Sequence, residues 1–205
     1  MIELYNAECL EQMKSIESGS VDAIICDPPY GTTACKWDSV IPFEPMWEQL
    51  HRVIKPNGAI VLFGSEPFSS ALRMSNIKNY KYDWKYKKLI ASNFASAKYQ
   101  PMKHIEDVIV FSVGGKSVKY NPIMQERAAS GGNRIKAGYK FNSKKGGDFI
   151  GNIERNVSEK EYNQKLKYPE DIQEFNNRSR GSRGLHPTQK PVALMEYLIK
   201  TYTNE

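Results

Sequence analysis

Residues 24–31 read IICDPPYG, an apolar run that ends abruptly in an acid, two prolines and an aromatic ring. The run begins at Val21 and is interrupted only by Asp22, a pattern typical of a strand buried on both faces of a parallel sheet. The prolines end such a strand because they cannot donate to its hydrogen-bond ladder. Asp27 and Tyr30 are then either ordinary turn residues or parts of a functional site.

This strand belongs to an alternating series of predicted strands and helices. The other predicted strands cover residues 2–5, 59–63, 82–91 and 107–113. The predicted helices run from Cys9 to Ile16, from Pro42 to the KPNG sequence at 55–58, over 68–74, and from Thr188 to Tyr202, with an apolar stripe that begins at Val192. Such repetition predicts βαβ units in a three-layer α/β fold, whose ligands bind beyond the carboxyl ends of the strands. IICDPPYG lies at such an end. For the last helix we predict Thr188 as the N-cap and Pro191 in the first turn, where it removes no intrahelical hydrogen bond.

Composition limits the class of protein. The chain has 205 residues, of which 40% are hydrophobic, enough for one domain with a core. No apolar stretch approaches the ~20 residues of a membrane span, and the N-terminal MIELYNAECLEQ lacks the layout of a signal peptide. The three cysteines and three histidines form no metal-binding pattern, so we expect no metal. We expect the thiols to serve as small hydrophobic groups in the reducing cytoplasm.

Positive charge is concentrated in one segment. The formal net charge is +6; residues 115–184 carry 15 Lys/Arg against 8 Asp/Glu, and the rest of the chain carries 14 against 15. Glycine pairs and aromatic residues are interleaved with these cations. A mobile polyanion-binding surface has this composition, and so does a solvated surface insertion.

The DPPY string suits chemistry on the exocyclic amino group of a nucleobase. The lone pair of that nitrogen is delocalised into the ring, and two fixed hydrogen-bond acceptors would favour its localisation. The Asp27 carboxylate and the Pro28 carbonyl are the candidate acceptors, and the prolines hold the backbone rigid. The Tyr30 ring could stack against a base turned out of the duplex.

Together with a second string, DPPY makes the chain resemble a known family. HPTQKP occupies residues 186–191, and between the two strings lie a helix-plus-strand pattern at 43–63 and KHIEDVIVF at 103–111. In this order the segments resemble the class β amino-group DNA methyltransferases, which use S-adenosylmethionine. The resemblance covers residues 1–113 and 184–205 and implies a Rossmann-like methyltransferase three-layer sandwich of the α/β class. It divides the chain into a catalytic core at 1–114, a target-recognition insert at 115–184 and the start of a cofactor-binding half at 185–205.

The resemblance also implies roles for individual residues. Asp27, Pro28, Pro29 and Tyr30 match the catalytic motif. The methionine end of the cofactor would be bound by Asp27, His186, Thr188, Gln189 and Lys190. Double-stranded DNA is the implied partner, with no membrane involved, and the basic insert would select the DNA sequence. The candidate DNA contacts are Arg127, Arg134, Lys144, Lys145, Arg178, Arg180 and Arg183.

The methyl acceptor has alternatives. Family members with Asp at the first motif position mostly methylate N6 of adenine, so Asp27 indicates adenine, with N4 of cytosine as the alternative. Transfer to C5 of cytosine is rejected because that chemistry needs a cysteine after a proline, and no cysteine here follows one. A related Pro-Pro-Tyr turn also acts on protein glutamine, and the basic segment argues against that substrate.

The resemblance further implies a segment that this sequence lacks. In the family, HPTQKP and its helix are followed by a strand and a glycine loop of the type DPFxGSGTT, whereas here the sequence ends at Glu205. The glycines of KKGGDFIGN follow lysines rather than an apolar strand and are no substitute. We therefore expect an incomplete sheet with an open edge at the DPPY strand, to be covered by self-association or by a complementing chain. The isolated chain is then expected to bind DNA without working as an enzyme.

Overall fold

The computed structural model describes residues 2–114, 117–127, 165–177 and 188–204, together with short strands at 140–142 and 154–156. The chain divides into two compact units. The first comprises Met1–Asn121 and Glu170–Glu205, and the second comprises Pro122–Pro169. Two parts of the predicted insert, residues 117–121 and 170–177, therefore fold with the first unit.

The first unit is a five-stranded sheet with helices packed on it. Its strands are β1 (Val21–Cys26), β2 (Ile54–Gly64), β3 (Tyr80–Ser92), β4 (Lys103–Phe111) and β9 (Ile172–Phe175). Its α-helices are α1 (Cys9–Met13), α2 (Phe43–Val53), α3 (Phe68–Ser75) and α4 (Val192–Tyr202). In the second unit, β5 (Gln125–Glu126) pairs with β8 (Leu166–Lys167) and β6 (Lys140–Asn142) pairs with β7 (Glu154–Asn156), both antiparallel.

The order of strands in the sheet is β1-β2-β4-β3-β9. β1 and β2 are parallel, as are β3 and β9, whereas β4 runs antiparallel to both of its neighbours. The predicted βαβ unit is therefore confirmed for β1-α2-β2, and the sheet is mixed because β3 and β4 form a hairpin. The carboxyl ends of β1, β2 and β3 and the amino end of β4 all lie at one end of the sheet.

Side-chain alternation along the central strands divides the core into two layers. On one face, Ile60 and Ile109 pack beneath α2 and α3. On the other face, Val61 and Val108 pack beneath α4. Helices on both faces of the sheet give the three layers that the sequence predicts.

Helix α4 is fixed to the sheet by a buried polar contact between aromatic residues. The Trp84 Nε1–H group donates a 2.6 Å hydrogen bond to the Tyr202 hydroxyl, and that hydroxyl donates to the Tyr82 hydroxyl at 3.2 Å. Burial raises the pKa of Tyr202, so the hydroxyl stays protonated and the contact is maintained over the ordinary pH range. This docking also fixes residues 188–190, which lead into α4.

Several details of the strands differ from the predictions. Residues 2–5 form no strand, and Ile2 and Leu4 are exposed, since no described strand lies beside them to share a hydrogen-bond ladder. β2 begins at Ile54 rather than at residue 59, because the KPNG sequence is accommodated as an irregularity in the pairing with β1. β4 covers Lys103–Phe111 rather than 107–113. β1 is half-buried rather than fully buried, because it lies at an edge of the sheet.

Two further predictions were wrong. Pro191, not Thr188, is the N-cap of α4, because its extended backbone (φ −57°, ψ 133°) delays the helix to Val192. Cys9, Cys26 and Cys35 are all exposed residues rather than small hydrophobic groups of the core, although burial raises the pKa of the Cys26 thiol to about 11. Cys9 lies in α1, which has no buried residues. Cys26 is the last residue of β1, and Cys35 lies in the loop that follows β1.

Among the described residues, no helix combines the length and the apolar character that crossing a membrane requires.

Candidate active site

A cleft opens at the end of the sheet where IICDPPYG terminates β1. Its volume is about 1170 Å³, somewhat above the ~300–1,000 Å³ typical of a site for one small molecule, so it has room for two ligands side by side. The walls come from the carboxyl ends of β1, β2 and β3, the amino end of β4, and residues 188–190. This placement agrees with the rule that ligands bind beyond the carboxyl ends of strands.

Asp27 is held in the cleft by two side chains. Its Oδ1 accepts a 2.6 Å hydrogen bond from the Tyr30 hydroxyl, and its Oδ2 lies 2.6 Å from Nζ of Lys190. The Asp27 side chain keeps 29% of its surface exposed, whereas that of Lys190 keeps 10%. The carboxylate is therefore oriented by buried partners and still accessible from the cleft.

Tyr30 joins this carboxylate to the core beneath it. Its ring stacks on that of Phe68, the first residue of α3, with the centroids 5.2 Å apart and an interplanar angle of 23°. Burial, and then the negative charge of Asp27, raise the pKa of Tyr30. The hydroxyl therefore remains a hydrogen-bond donor to Asp27 at any ordinary pH.

Asp38 fixes the loop that follows the two prolines. Its Oδ1 accepts hydrogen bonds from the backbone N–H groups of Tyr30 (2.8 Å) and Gly31 (2.9 Å), and its Oδ2 accepts from those of Thr32 (2.9 Å) and Thr33 (2.7 Å). Burial alone would raise the pKa of Asp38. The Thr33 hydroxyl and the backbone donors outweigh burial and lower the pKa from 3.8 to about 2. A buried, ionised carboxylate thus imposes one conformation on the loop.

The same loop requires glycine at its second position. Gly31 has φ +68°, a left-handed conformation that side chains rarely adopt, and a Cβ there would lie 2.8 Å from Cγ2 of Val40. The Gly31 N–H group is then free to point at Asp38, as the hydrogen bond requires.

A second carboxylate and a second lysine complete the charged floor of the cleft. Nζ of Lys190 lies 3.4 Å from Oε2 of Glu106, and Nζ of Lys88 lies 3.0 Å from Oε1 of Glu106. Lys190 is therefore shared between the Asp27 and Glu106 carboxylates. Oε2 of Glu106 is buried and accepts no hydrogen bond from the described residues. Its contact with the described residues is thus the ion pair with Lys190.

Most of the predicted catalytic and cofactor residues line this cleft. Asp27, Pro28, Pro29 and Tyr30 form one side, and Thr188, Gln189 and Lys190 form another. The fold thus brings the two strings together although Asp27 and Lys190 lie 163 positions apart in the chain. The roles assigned to these residues remain predictions, and His186 lies outside the described residues.

Of the candidate DNA contacts, the structure describes Arg127 alone. Its Nε donates a 2.8 Å hydrogen bond to the Leu166 carbonyl, which joins β5 to β8 within the second unit. Part of its guanidinium is therefore used structurally, and a guanine contact remains a prediction. The candidates outside the described residues are Arg134, Lys144, Lys145, Arg178, Arg180 and Arg183.

Sequence reasoning missed three charged residues of the site: Asp38, Lys88 and Glu106. Asp38 stands in a loop with no periodic pattern, and its contacts depend on a backbone conformation that only the fold reveals. One signal was present, since a glutamate and a lysine within strands must find partners when they are buried. Asn93, which follows β3, also lines the cleft, whereas the neighbouring Phe94 does not line it.

The chain is similar to proteins that are already known. A family model described as DNA methylase (N6_N4_Mtase) matches residues 21–205. The chain belongs to this DNA methylase family. The type II methyltransferase M.HpaI from Haemophilus parainfluenzae is 26% identical over 216 residues, covering 97% of this chain and 59% of that protein. The chain therefore spans less than two thirds of the length of this DNA methylase relative.

Solved structures of DNA methylases show the same fold. The cytosine-N4-specific PvuII DNA methyltransferase has a TM-score of 0.59 at 14% identity, covering 98% of this chain and 70% of that one. The M1.HpyAVI–SAM complex has a TM-score of 0.51 at 18% identity, covering 100% of this chain and 78% of that one. These likenesses confirm the predicted methyltransferase-like α/β sandwich.

Proposed function

We propose that this chain acts in transfer of a methyl group from S-adenosylmethionine to an exocyclic amino group of a DNA base, N6 of adenine. The observation that carries the proposal is the oriented Asp27 carboxylate in the cleft, held by Tyr30 and Lys190. An accessible, fixed acceptor at a strand end suits an amino group whose hydrogens must be positioned.

Asp27 is the residue that would act on the amino group. An N–H hydrogen of the base would be held by the Asp27 carboxylate, so that the nitrogen lone pair is directed away from the ring. The proton lost after methyl transfer would pass to Asp27 or to water. Because Tyr30 and Lys190 hold its two oxygens, Asp27 would need little reorganisation during the reaction.

The charges of the cleft fit the methionine end of S-adenosylmethionine. Lys190 is a cation suited to its carboxylate, and Glu106, which lines the cleft, is an anion suited to its ammonium group. Thr188 and Gln189 add polar groups on the same wall. When bound, the sulfonium centre supplies an electrophilic methyl group.

Tyr30 is the proposed stacking surface for the base. The Phe68 ring covers one face of Tyr30, so a base could stack only on the opposite face. The ammonium of Lys190 lies 5.8 Å from the Tyr30 centroid and limits how far a base could slide across the ring. This geometry would place the base edge beside Asp27, to which Tyr30 is bonded.

The alternative acceptor is N4 of cytosine. An acceptor such as Asp27 can orient either amine, so the cleft geometry supports both and the residue type at the first motif position favours adenine. Protein glutamine is a weaker alternative, because the positive charge of residues 115–184 suits a polyanion. We expect DNA affinity to fall steeply with salt, whereas a protein substrate would give a shallow dependence.

The test is transfer of a tritiated methyl group from S-adenosylmethionine to DNA, with bulk protein as a competing acceptor. With the complementing chain expected from the sequence present, we expect incorporation into DNA by the wild type and none by Asp27→Ala, with DNA affinity preserved. Asp22→Ala is the matched control: it removes a carboxylate from the same strand, where Asp22 pairs with Lys55 at the surface. Equal incorporation by Asp27→Ala and the control, or labelling of protein alone, would overturn the proposal.

A further inference from the structure

The loop between β3 and β4 is a compact hairpin tip beside the cleft. Ser92 and Lys103 are paired across its base, and residues 93–102 form the loop. Inside it, the Ala97 N–H group donates to the Phe94 carbonyl at 3.0 Å, and the Tyr99 N–H group donates to the Ser96 carbonyl at 2.9 Å. Asn93 starts the turn in the left-handed conformation, with φ 75°, which asparagine tolerates. The loop is therefore preorganised by its own backbone.

This hairpin tip exposes two aromatic rings. Phe94 is 82% exposed and Tyr99 is 90% exposed. Large aromatic side chains dominate the energetics of contact surfaces and are usually buried at least in part. Two such rings held on an internally hydrogen-bonded loop form a contact surface that is ready to bind a flat, apolar partner.

The charge of the surrounding segment narrows the identity of that partner. From Trp84 to Ile105 the sequence has five lysines and neither aspartate nor glutamate, but Lys85, Lys87 and Lys88 pair with carboxylates outside this stretch. Lys98 and Lys103 are both exposed, and within the described part of the chain neither forms an ion pair. Exposed rings interleaved with available cations form the pattern that binds unpaired nucleic acid strands, in which the bases stack and the phosphates meet lysines.

The position of the hairpin tip links it to the cleft. Asn93, Ser96 and Gln100, from the same loop as the two rings, line the cleft that contains Asp27. A strand that places one base against Asp27 would therefore pass over this loop with its neighbouring bases. The backbone of those bases would run beside Lys98 and Lys103.

We infer that residues 93–102 form a stacking platform for DNA bases that become unpaired where the duplex opens around the base in the cleft, with Phe94 and Tyr99 as the stacking rings. The inference rests on the proposed action on DNA and adds a contact outside the basic insert. A second copy of the chain or an apolar protein segment would fit the exposed rings, but an apolar surface gains nothing from the exposed cations Lys98 and Lys103 beside them.

Photo-crosslinking tests the platform directly. The probe is a single-stranded oligonucleotide of mixed sequence that carries 5-iodo-deoxyuridine, which crosslinks to aromatic rings stacked on it. We expect the crosslinked peptide from the full-length chain to contain Phe94 or Tyr99. Crosslinks confined to other segments would overturn the inference.

Affinity for the same oligonucleotide without iodine gives a second measurement. Stacking on one ring is worth about 1–3 kcal/mol, so Phe94→Ala and Tyr99→Ala should each weaken binding by about 5- to 150-fold. Tyr99→Phe keeps the ring and should bind like the wild type. Met74→Ala, which removes another exposed apolar side chain (70% exposed) from α3, should have no effect.

Other outcomes separate this inference from the proposed function. Crosslinking at Phe94 or Tyr99 without methyl transfer to any DNA would support the platform and count against the enzymatic proposal. Methyl transfer that is unaffected by the Phe94→Ala, Tyr99→Ala double variant would refute the platform and leave the enzymatic proposal intact. Loss of self-association in that variant, with unchanged DNA binding, would identify a protein-binding surface instead.

Discussion

Nζ of Lys190 lies 2.6 Å from Oδ2 of Asp27, and the two residues are separated by 163 positions in the sequence. The Lys190 ammonium also lies 3.4 Å from Oε2 of Glu106 and 5.1 Å from the centroid of the Phe63 ring. One buried cation therefore balances two carboxylates at the floor of the cleft. Removing it would leave both carboxylates repelling each other in a partly desolvated site.

Replacement of Lys190 by methionine should lower methyl transfer while the chain stays folded. A hydrogen bond to a charged group is worth about 1.5–3 kcal/mol, so we expect kcat/KM to fall by about 10- to 150-fold. Because the ammonium is proposed to hold the carboxylate of the methyl donor, KM for S-adenosylmethionine should rise. Steady-state kinetics measures both effects. Lys200→Met is a matched control, since Lys200 pairs with Glu196 on the exposed face of α4. Wild-type kinetics in Lys190→Met would contradict the prediction.

Tyr30→Phe separates the hydroxyl from the ring. The variant keeps stacking on Phe68 but loses the 2.6 Å hydrogen bond that fixes Oδ1 of Asp27. We expect kcat to fall by about tenfold or more with DNA affinity unchanged, and Tyr30→Ala to lose affinity as well. Because burial and the charge of Asp27 raise the pKa of Tyr30, the wild-type rate should show no loss from ionisation of this hydroxyl up to about pH 10. Equal DNA binding by the Phe and Ala variants would show that the ring does not hold a base.

Asp38→Ala tests the carboxylate that fixes the loop. It leaves four backbone N–H groups, those of residues 30–33, without their acceptor. A hydrogen bond to a charged group is worth about 1.5–3 kcal/mol, and water can reach the exposed residues 31–33, so the free energy of unfolding should fall by about that amount. Urea unfolding of the variant and of Asp22→Ala, whose carboxylate is exposed, provides the comparison. Amide hydrogen exchange should accelerate at residues 30–33, and unchanged exchange there would show that the loop is fixed by other contacts.

Asp38 should also make the free energy of unfolding depend on pH in the acid range. Its folded pKa, about 2, lies below its ordinary value of 3.8, so the ionised form is favoured by folding. The stabilisation is therefore complete above about pH 4 and is lost as the pH falls towards 2. The difference in unfolding free energy between the wild type and Asp38→Ala should shrink over this interval. A constant difference would mean that Asp38 contributes through packing rather than through its charge.

The elements of the first unit were largely predictable from sequence. β1 has the predicted bounds, Val21–Cys26, because its apolar run is bounded by Gly19 and by the two prolines. Helix α2 begins after Pro42 and ends before the KPNG sequence for similarly local reasons. The direction of β4 and the pairing of β9 with β3 were not predictable, because strand pairing depends on contacts between distant parts of the chain.

The candidate site was predictable where its residues form a contiguous string. DPPY and TQK could be found because each is a run of consecutive residues, and both line the cleft. Asp38, Lys88 and Glu106 could not be assigned to the site, because they reach it by folding of a loop and by the register between β3 and β4. The rings of Phe94 and Tyr99 are local in sequence, but their exposure is known only once the hairpin tip is folded.

The most direct test of the central claim is the identity of the methylated nucleoside. DNA is incubated with S-adenosylmethionine and with the chain in the presence of its expected complementing chain, then digested to nucleosides and analysed by liquid chromatography with mass spectrometry. The account predicts N6-methyldeoxyadenosine from the wild type and from Asp22→Ala, and none from Asp27→Ala. N4-methyldeoxycytidine that is lost in Asp27→Ala would keep the mechanism and change the base. A methylated nucleoside formed equally by Asp27→Ala, or none formed by the wild type, would contradict the claim that Asp27 directs methyl transfer to a DNA amino group.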